Sequence, residues 1–126
     1  MTFDKIFFAF VIVLALTLNL GFVSGDIATI THHNRYELFA SLVVSLIATV
    51  MKFGDRSQLG STMLATSLVA DVQLIAAAVF WGYVTLDGSY PSVHDTVTIV
   101  SLAIGALAAN VISVVVLIME TASLRP

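Results

Sequence analysis

Hydrophobic residues occur in four long runs that short polar segments separate. The runs cover residues 6–23, 36–53, 58–83 and 96–119. None of them alternates apolar and polar residues as the strands of a membrane barrel would, so each run predicts a helix. Run 36–53 would extend about 27 Å at about 1.5 Å per residue, enough to cross a bilayer. The pattern predicts an all-α membrane protein, with residues 1–126 forming a single antiparallel four-helix transmembrane domain.

Composition supports this class and excludes several others. Hydrophobic residues make up 59% of the chain and charged residues 10%, with a mean hydropathy of +1.04. A soluble domain of this length would carry more charge on its surface. Five Lys and Arg at a net charge of −3 are too few for a nucleic-acid interface. The absence of cysteine excludes disulfides, thiol nucleophiles and iron–sulfur sites.

Polar residues at the ends of the runs predict where helices begin and end. Gly54 suits a helix end, and Asp55 or Ser57 suits the next start. Two pairs have the spacing of a capping box ahead of an apolar run, namely Asn34 with Glu37 and Ser92 with Asp95. The segment GFVSG at the end of the first run has small residues, but that run exceeds the usual length for a cleaved signal peptide. We therefore expect the first helix to be retained.

Basic residues predict the orientation of the domain. One side of the predicted bundle holds a single basic residue, Arg35, and the other side holds four, Lys5, Lys52, Arg56 and Arg125. By the positive-inside rule, both termini are cytoplasmic. An aromatic belt of Tyr36, Trp81, Tyr83 and Tyr90 would then lie at the outer interface.

Three predicted spans carry strongly polar residues near the middle of the membrane. Counted from the cytoplasmic edge, Asp71, Asn19 and Asn110 lie about 14 to 20 Å deep at about 1.5 Å per residue. Gln73 lies at the same level but points to another side of its helix, toward a neighbouring helix or subunit. A carboxylate at this depth costs at least about 2.5 kcal/mol, and no basic residue lies nearby in the spans. Asp71 could be protonated and join helices, bind a cation, or face a water-filled cavity.

Small residues recur every four positions in two of the runs. Such stripes allow close helix packing, within one chain or between copies. Because four helices enclose little interior, we expect a homo-oligomer that buries more of the polar surface. The stripes are Ser41, Ser45 and Thr49 in the second run, and Ser101, Gly105, Ala109 and Ser113 in the fourth.

The two predicted outer loops are rich in acids and hold all three histidines. They predict an acidic vestibule that would concentrate cations. A divalent metal on the histidines and Asp95 is an alternative, but the spacing matches no known metal motif, so we predict neither a metal nor a cofactor. The vestibule residues are Asp26, His32, His33, Glu37, Asp87, His94 and Asp95.

Two segments, HHNRYELFASLVVSLIATVMKFGDR and ATSLVADVQLIAAAVFW, resemble a bacterial family of small four-span membrane proteins of unknown function. The resemblance implies a multi-pass protein of the bacterial inner membrane and supplies no mechanism. Small multidrug exporters carry a carboxylate in their first span, whereas this chain has Asn19 there. A glycine-rich carbonyl filter of the potassium-channel kind is also absent.

The leading hypothesis is a small homo-oligomeric cation channel or cation-transport component for protons or monovalent cations. Asp71, Asn19, Asn110 and Gln73 would form its polar belt in the lipid bilayer. The alternative is a non-conducting accessory subunit that stabilises or regulates a larger membrane transporter or respiratory complex. An enzyme is not predicted, because no catalytic constellation is evident and all three histidines lie in loops.

Overall fold

The computed structural model describes residues 3–54 and 57–123, which form four α-helices and one short 3₁₀ turn. The predicted all-α class is confirmed, and the described residues contain no strand. Asp55, Arg56 and Arg125, which entered the predictions of turn and orientation, lie outside the described residues. The helices are α1 (Phe3–Val23), α2 (Arg35–Lys52), α3 (Gln58–Val84) and α4 (Val93–Ser123), with the 3₁₀ turn at Ile30–His32.

Three of the four helices, α1, α3 and α4, are long and apolar enough to cross a membrane. This makes the chain a membrane protein by the length and composition of its helices. The second predicted span is not supported in the same way. Its helix is shorter, and its ends carry the charged residues Arg35, Glu37 and Lys52.

The helix starts follow the capping residues. Ser57 accepts a hydrogen bond from the Gly60 amide at 3.0 Å, which caps α3. Ser92 and Asp95 form the predicted reciprocal box, in which each side chain accepts from the other residue's amide, at 3.0 and 3.3 Å. Asn34 caps α2 by accepting from the Tyr36 amide, without the predicted return contact from Glu37 among the described bonds.

The helices form a ring in which α1 packs on α2 and α4, and α3 packs on the same two helices. We call the end with the connections 24–34 and 85–92 the loop end, and the opposite end the terminal end. A buried apolar cluster around Phe22, Leu38 and Leu74 lies toward the loop end. A second cluster around Phe8 and Met63 lies toward the terminal end. Buried polar side chains occupy the middle of the helices.

Candidate functional site

Asp71 of α3 is buried against two hydroxyl groups of α2. The Ser45 hydroxyl donates to Asp71 Oδ1 at 2.6 Å, and the Thr49 hydroxyl donates to Asp71 Oδ2 at 2.5 Å. Only 4% of Asp71 is exposed, together with 1% of Ser45 and 7% of Thr49. Each carboxylate oxygen therefore has its own hydroxyl donor inside the bundle.

The spacing of the small polar residues on α2 explains this arrangement. Ser41, Ser45 and Thr49 are four residues apart and so share one helix face. All three are buried, and the Ser41 hydroxyl has no hydrogen-bond partner among the described residues. The Thr49 hydroxyl also lies 3.0 Å from the Ser45 carbonyl, so its single hydrogen can serve either that carbonyl or Asp71. We call Ser41, Ser45, Thr49 and Asp71 the carboxylate–hydroxyl cluster.

No basic residue is present in the sequence to neutralise Asp71 at this depth. Segments 6–23, 36–51, 58–84 and 96–123 contain no Lys, Arg or His. A buried carboxylate is costly unless it is paired, hydrogen-bonded or protonated. The two hydroxyl donors of α2 are the polar contacts that the described structure provides for the Asp71 carboxyl group.

Asn19 and Asn110 form a separate polar contact between α1 and α4. With the Asn19 amide turned to satisfy its neighbours, its nitrogen donates to the Ala103 carbonyl at 3.0 Å. Its oxygen accepts from the Leu107 amide and from Asn110 Nδ2, both at 3.0 Å. The structure thus brings the two predicted amides together, while the hydrogen bonds to the Asp71 carboxylate come from α2. The predicted belt is divided between two helix interfaces.

Gln73 and the small-residue stripe of α4 pack within the chain. The Gln73 side chain lies directly over Gly105, where an added Cβ would overlap the Gln73 amide oxygen. Ala109 and Ser113 are buried, whereas Ser101 is exposed. Ser113 Oγ lies 2.5 Å from the Thr66 hydroxyl of α3. Gly105 and Ser113 of the stripe therefore serve the contact between α3 and α4 of one chain.

At the loop end, His33 is buried and holds two parts of the chain together. Its Nδ1 lies 2.7 Å from the Phe22 carbonyl, and its Nε2 lies 2.8 Å from the Asp26 carbonyl. Carbonyl oxygens only accept hydrogen bonds, so each ring nitrogen donates to the carbonyl that it faces in the tautomer that places a proton on that nitrogen. His32 differs, because its Nδ1 accepts from the Asp26 amide at 2.8 Å. These two histidines organise the α1–α2 connection.

The acidic residues of the predicted vestibule bind near neighbours in the chain. Donation from the Ala28 amide and the Thr29 hydroxyl, aided by the nearby histidines, lowers the pKa of Asp26. Hydrogen bonds from the Ser89 hydroxyl and amide likewise lower the pKa of Asp87. The Asp95 carboxylate accepts from the Ser92 amide at the start of α4, Glu37 lies over Gly21 of α1, and His94 is exposed. Within residues 3–54 and 57–123, no three His, Asp or Glu side chains gather as metal ligands would.

The sequence therefore located the carboxylate but missed its partners. The spacing of Ser45 and Thr49 predicts packing residues, since small side chains four positions apart are typical of close helix contacts. The signal that could have identified them is their chemistry. All three members of that stripe carry hydroxyls, and a midplane carboxylate on the next helix needs donors.

One protein family matches most of the chain. It is described as a family of unknown function (DUF6394), and the match covers residues 32–121. These residues include α2, α3 and the carboxylate–hydroxyl cluster, but not Asn19. No curated protein matches the chain, and no solved structure matches it.

Proposed function

We propose a function from the chain's own residues, because the chain belongs to the DUF6394 family of unknown function. The protein binds a proton or a monovalent cation at Asp71 and acts as a small cation channel or a component of cation transport. In this proposal α2 crosses the bacterial inner membrane with the other three helices, and both termini are cytoplasmic.

The observation that carries this proposal is the environment of Asp71. Both carboxylate oxygens accept hydroxyl hydrogen bonds, and the helix segments around them supply no basic side chain. Ionisable residues at membrane depth commonly mark ion or proton pathways. An oxygen-rich site of one carboxylate and several hydroxyls offers the hard ligands that small cations prefer.

Ser41 supports a pathway that extends beyond Asp71. Its buried hydroxyl is unpartnered among the described residues and lies on the α2 face that carries Ser45 and Thr49. A buried hydroxyl without a partner costs about 1 to 3 kcal/mol, so a ligand or water that binds it would be stabilised. The α2 face thus provides hydroxyls over two helical turns in the direction of the loop end.

A homo-oligomer is part of the proposal. A single ring of four helices leaves little interior for a continuous aqueous path, and copies of the chain would enclose one more readily. Several large apolar residues face outward on α2 and α3, such as Val43, Val72 and Val79, and lipid or another copy could cover them. Native mass spectrometry of gently purified protein measures the subunit number directly.

Proteoliposome flux assays test the proposal. We expect Asp71→Asn to abolish proton or monovalent-cation flux, because the neutral amide is nearly the same shape but cannot carry the charge. Thr66→Val is the matched control, since it removes a partly buried interhelical hydroxyl contact away from Asp71. Flux in Asp71→Asn equal to that of the unmodified protein would rule out this function.

A second candidate function is a non-conducting accessory subunit of a larger membrane protein. The Asn19 contacts favour it, because the nitrogen and the oxygen of that amide both have partners on α4, and such contacts hold α1 on α4. This function predicts a stoichiometric membrane-protein partner that co-purifies, together with no flux from the isolated chain. Flux from protein that is free of partners would exclude it.

A further inference from the structure

A cavity of about 570 Å³ opens between the two connections at the loop end. Its walls come from the α1–α2 connection with the first turn of α2, from the last turns of α3, and from the segment before α4. The side chains that matter for binding are Arg35, Tyr36, Trp81, Ser89 and Tyr90. The cavity therefore combines one cationic group with aromatic and hydroxyl groups.

A smaller cavity of about 80 Å³ adjoins the first along the seam between α2 and α3. The two cavities share Arg35, Trp81 and Thr85. The remaining lining of the smaller one is apolar and comes from Leu38, Phe39, Ala78 and Gly82. Together they form a cleft that is polar at the loop end and apolar along the helices, which we call the Arg35 cleft.

The charge of the Arg35 cleft contrasts with that of the whole chain. Although the net charge is −3, no Asp or Glu lines either cavity. The Arg35 guanidinium lies over the Tyr36 ring, 5.5 Å from the ring centroid. Glu37, the neighbouring acid on α2, lies over Gly21 on α1 instead. The cleft is thus electrostatically complementary to an anion.

We propose that the Arg35 cleft binds an anionic phospholipid. The headgroup phosphate lies against the Arg35 guanidinium, which matches phosphate oxygens with paired N–H donors. One acyl chain follows the apolar seam past Phe39, Ala78 and Gly82. Gly82 suits this position, because a Cβ placed there meets no atom within 4 Å and the seam is open beside it. Trp81 and Tyr90 lie where aromatic side chains meet lipid headgroups.

Trp81 makes this proposal measurable, because it lines both cavities and is the chain's single tryptophan. The full chain is placed in bilayers that contain bromine-labelled phosphatidylglycerol or bromine-labelled phosphatidylcholine, and quenching of Trp81 fluorescence is compared. We expect phosphatidylglycerol to bind about fivefold more strongly than phosphatidylcholine, because one cationic side chain near the membrane surface strengthens the binding of an anionic lipid by about this factor. Equal quenching by the two lipids would overturn the proposal.

Charge variants identify the group that recognises the lipid. Arg35→Gln should remove the preference, and Arg35→Lys should restore part of it. Lys5→Gln is the matched control, because it changes the net charge equally from the opposite end of the bundle. Arg35 is exposed, so its substitution should leave the fold intact, which far-UV circular dichroism checks. A preference that persists in Arg35→Gln would contradict the assignment.

Seam variants and a soluble competitor distinguish a lipid from a free anion. Gly82→Leu fills the apolar seam and should reduce quenching by both lipids, whereas Ala65→Leu places a leucine at an exposed position of α3 away from the seam and should not. Inorganic phosphate should fail to displace the labelled phosphatidylglycerol. Displacement by phosphate would assign the cavity to a soluble anion and refute lipid binding. Normal quenching in Gly82→Leu would show that no acyl chain occupies the seam and would overturn the proposed binding mode.

Discussion

Thr49→Val should destabilise the protein by an amount that depends on the charge of Asp71. The substitution removes the hydroxyl that donates to Asp71 Oδ2 and keeps nearly the same side-chain shape. Because Asp71 is 4% exposed, water cannot readily replace the lost donor. The carboxylate oxygen would then be buried without that hydrogen bond.

The expected magnitude follows from the charge of the acceptor. A hydrogen bond to an ionised group contributes about 1.5 to 3 kcal/mol to stability. The matched variant Thr66→Val removes a neutral contact with Ser113, and interhelical hydrogen bonds in membranes average about 0.6 kcal/mol. In an Asp71→Asn background, Thr49→Val should also fall to about 0.6 kcal/mol, because the acceptor is neutral there.

The assay is a double-mutant cycle on the free energy of unfolding. Reversible unfolding in mixed micelles with increasing sodium dodecyl sulfate is followed by circular dichroism and Trp81 fluorescence. The coupling between Thr49→Val and Asp71→Asn should be about 1 to 2.4 kcal/mol, the difference between the charged and neutral cases.

Additive effects of the two substitutions, within about 0.5 kcal/mol, would refute this reasoning. They would mean that the Thr49 hydroxyl does not stabilise a charged Asp71. The cluster would then consist of neutral groups that join α2 to α3, and the case for cation binding would lose its main support.

Three further predictions concern the other contacts. Gly105→Ala should destabilise the chain by about 1 to 3 kcal/mol, because the added Cβ overlaps the Gln73 side chain. Gln73→Ala in the same chain should relieve much of this loss. Gly82→Ala is the control, because Gly82 has open space beside it. Asn19→Leu and Asn110→Leu should each destabilise the chain by about 1 to 3 kcal/mol, and the double variant should lose less than the sum, because both changes remove the same Asn19–Asn110 hydrogen bond. Additive losses would contradict this contact. Because the pKa of Asp26 is lowered from its ordinary value of 3.8, the ionised Asp26 carboxylate fully stabilises the α1–α2 connection above pH 3.8. This stabilisation is lost as the pH falls through the lowered pKa. Carboxyl NMR of Asp26 should therefore show titration below pH 3.8, and Ala28 amide exchange should rise with it, with Asp26→Asn as the control.

Hydropathy predicted the helices closely because apolar runs of this length determine helical structure in a membrane. The predicted run 58–83 became α3, Gln58–Val84, where Ser57 provides the cap. The fourth helix starts earlier than its apolar run, at Val93, because the Ser92–Asp95 box begins the helix in polar sequence. The Ser92–Asp95 capping box thus starts α4 earlier in the chain than hydropathy alone predicts.

The partners of each polar residue could not be predicted in the same way. Periodicity places Asp71 on one face of its helix but does not say which helix covers that face. Asn19, Asn110 and Asp71 have similar depths, so depth alone suggested one belt. The ring arrangement instead puts Asn19 against α4 and Asp71 against α2.

Infrared difference spectroscopy of Asp71 is the most direct test of cation binding by the carboxylate–hydroxyl cluster. Spectra of the reconstituted protein are compared before and after proton or sodium concentration is changed, with Asp71→Asn as the reference. A carboxyl or carboxylate band that changes with the cation, and that is absent in Asp71→Asn, is the predicted result. A band assigned to Asp71 that is unaffected by either cation would contradict the proposed function.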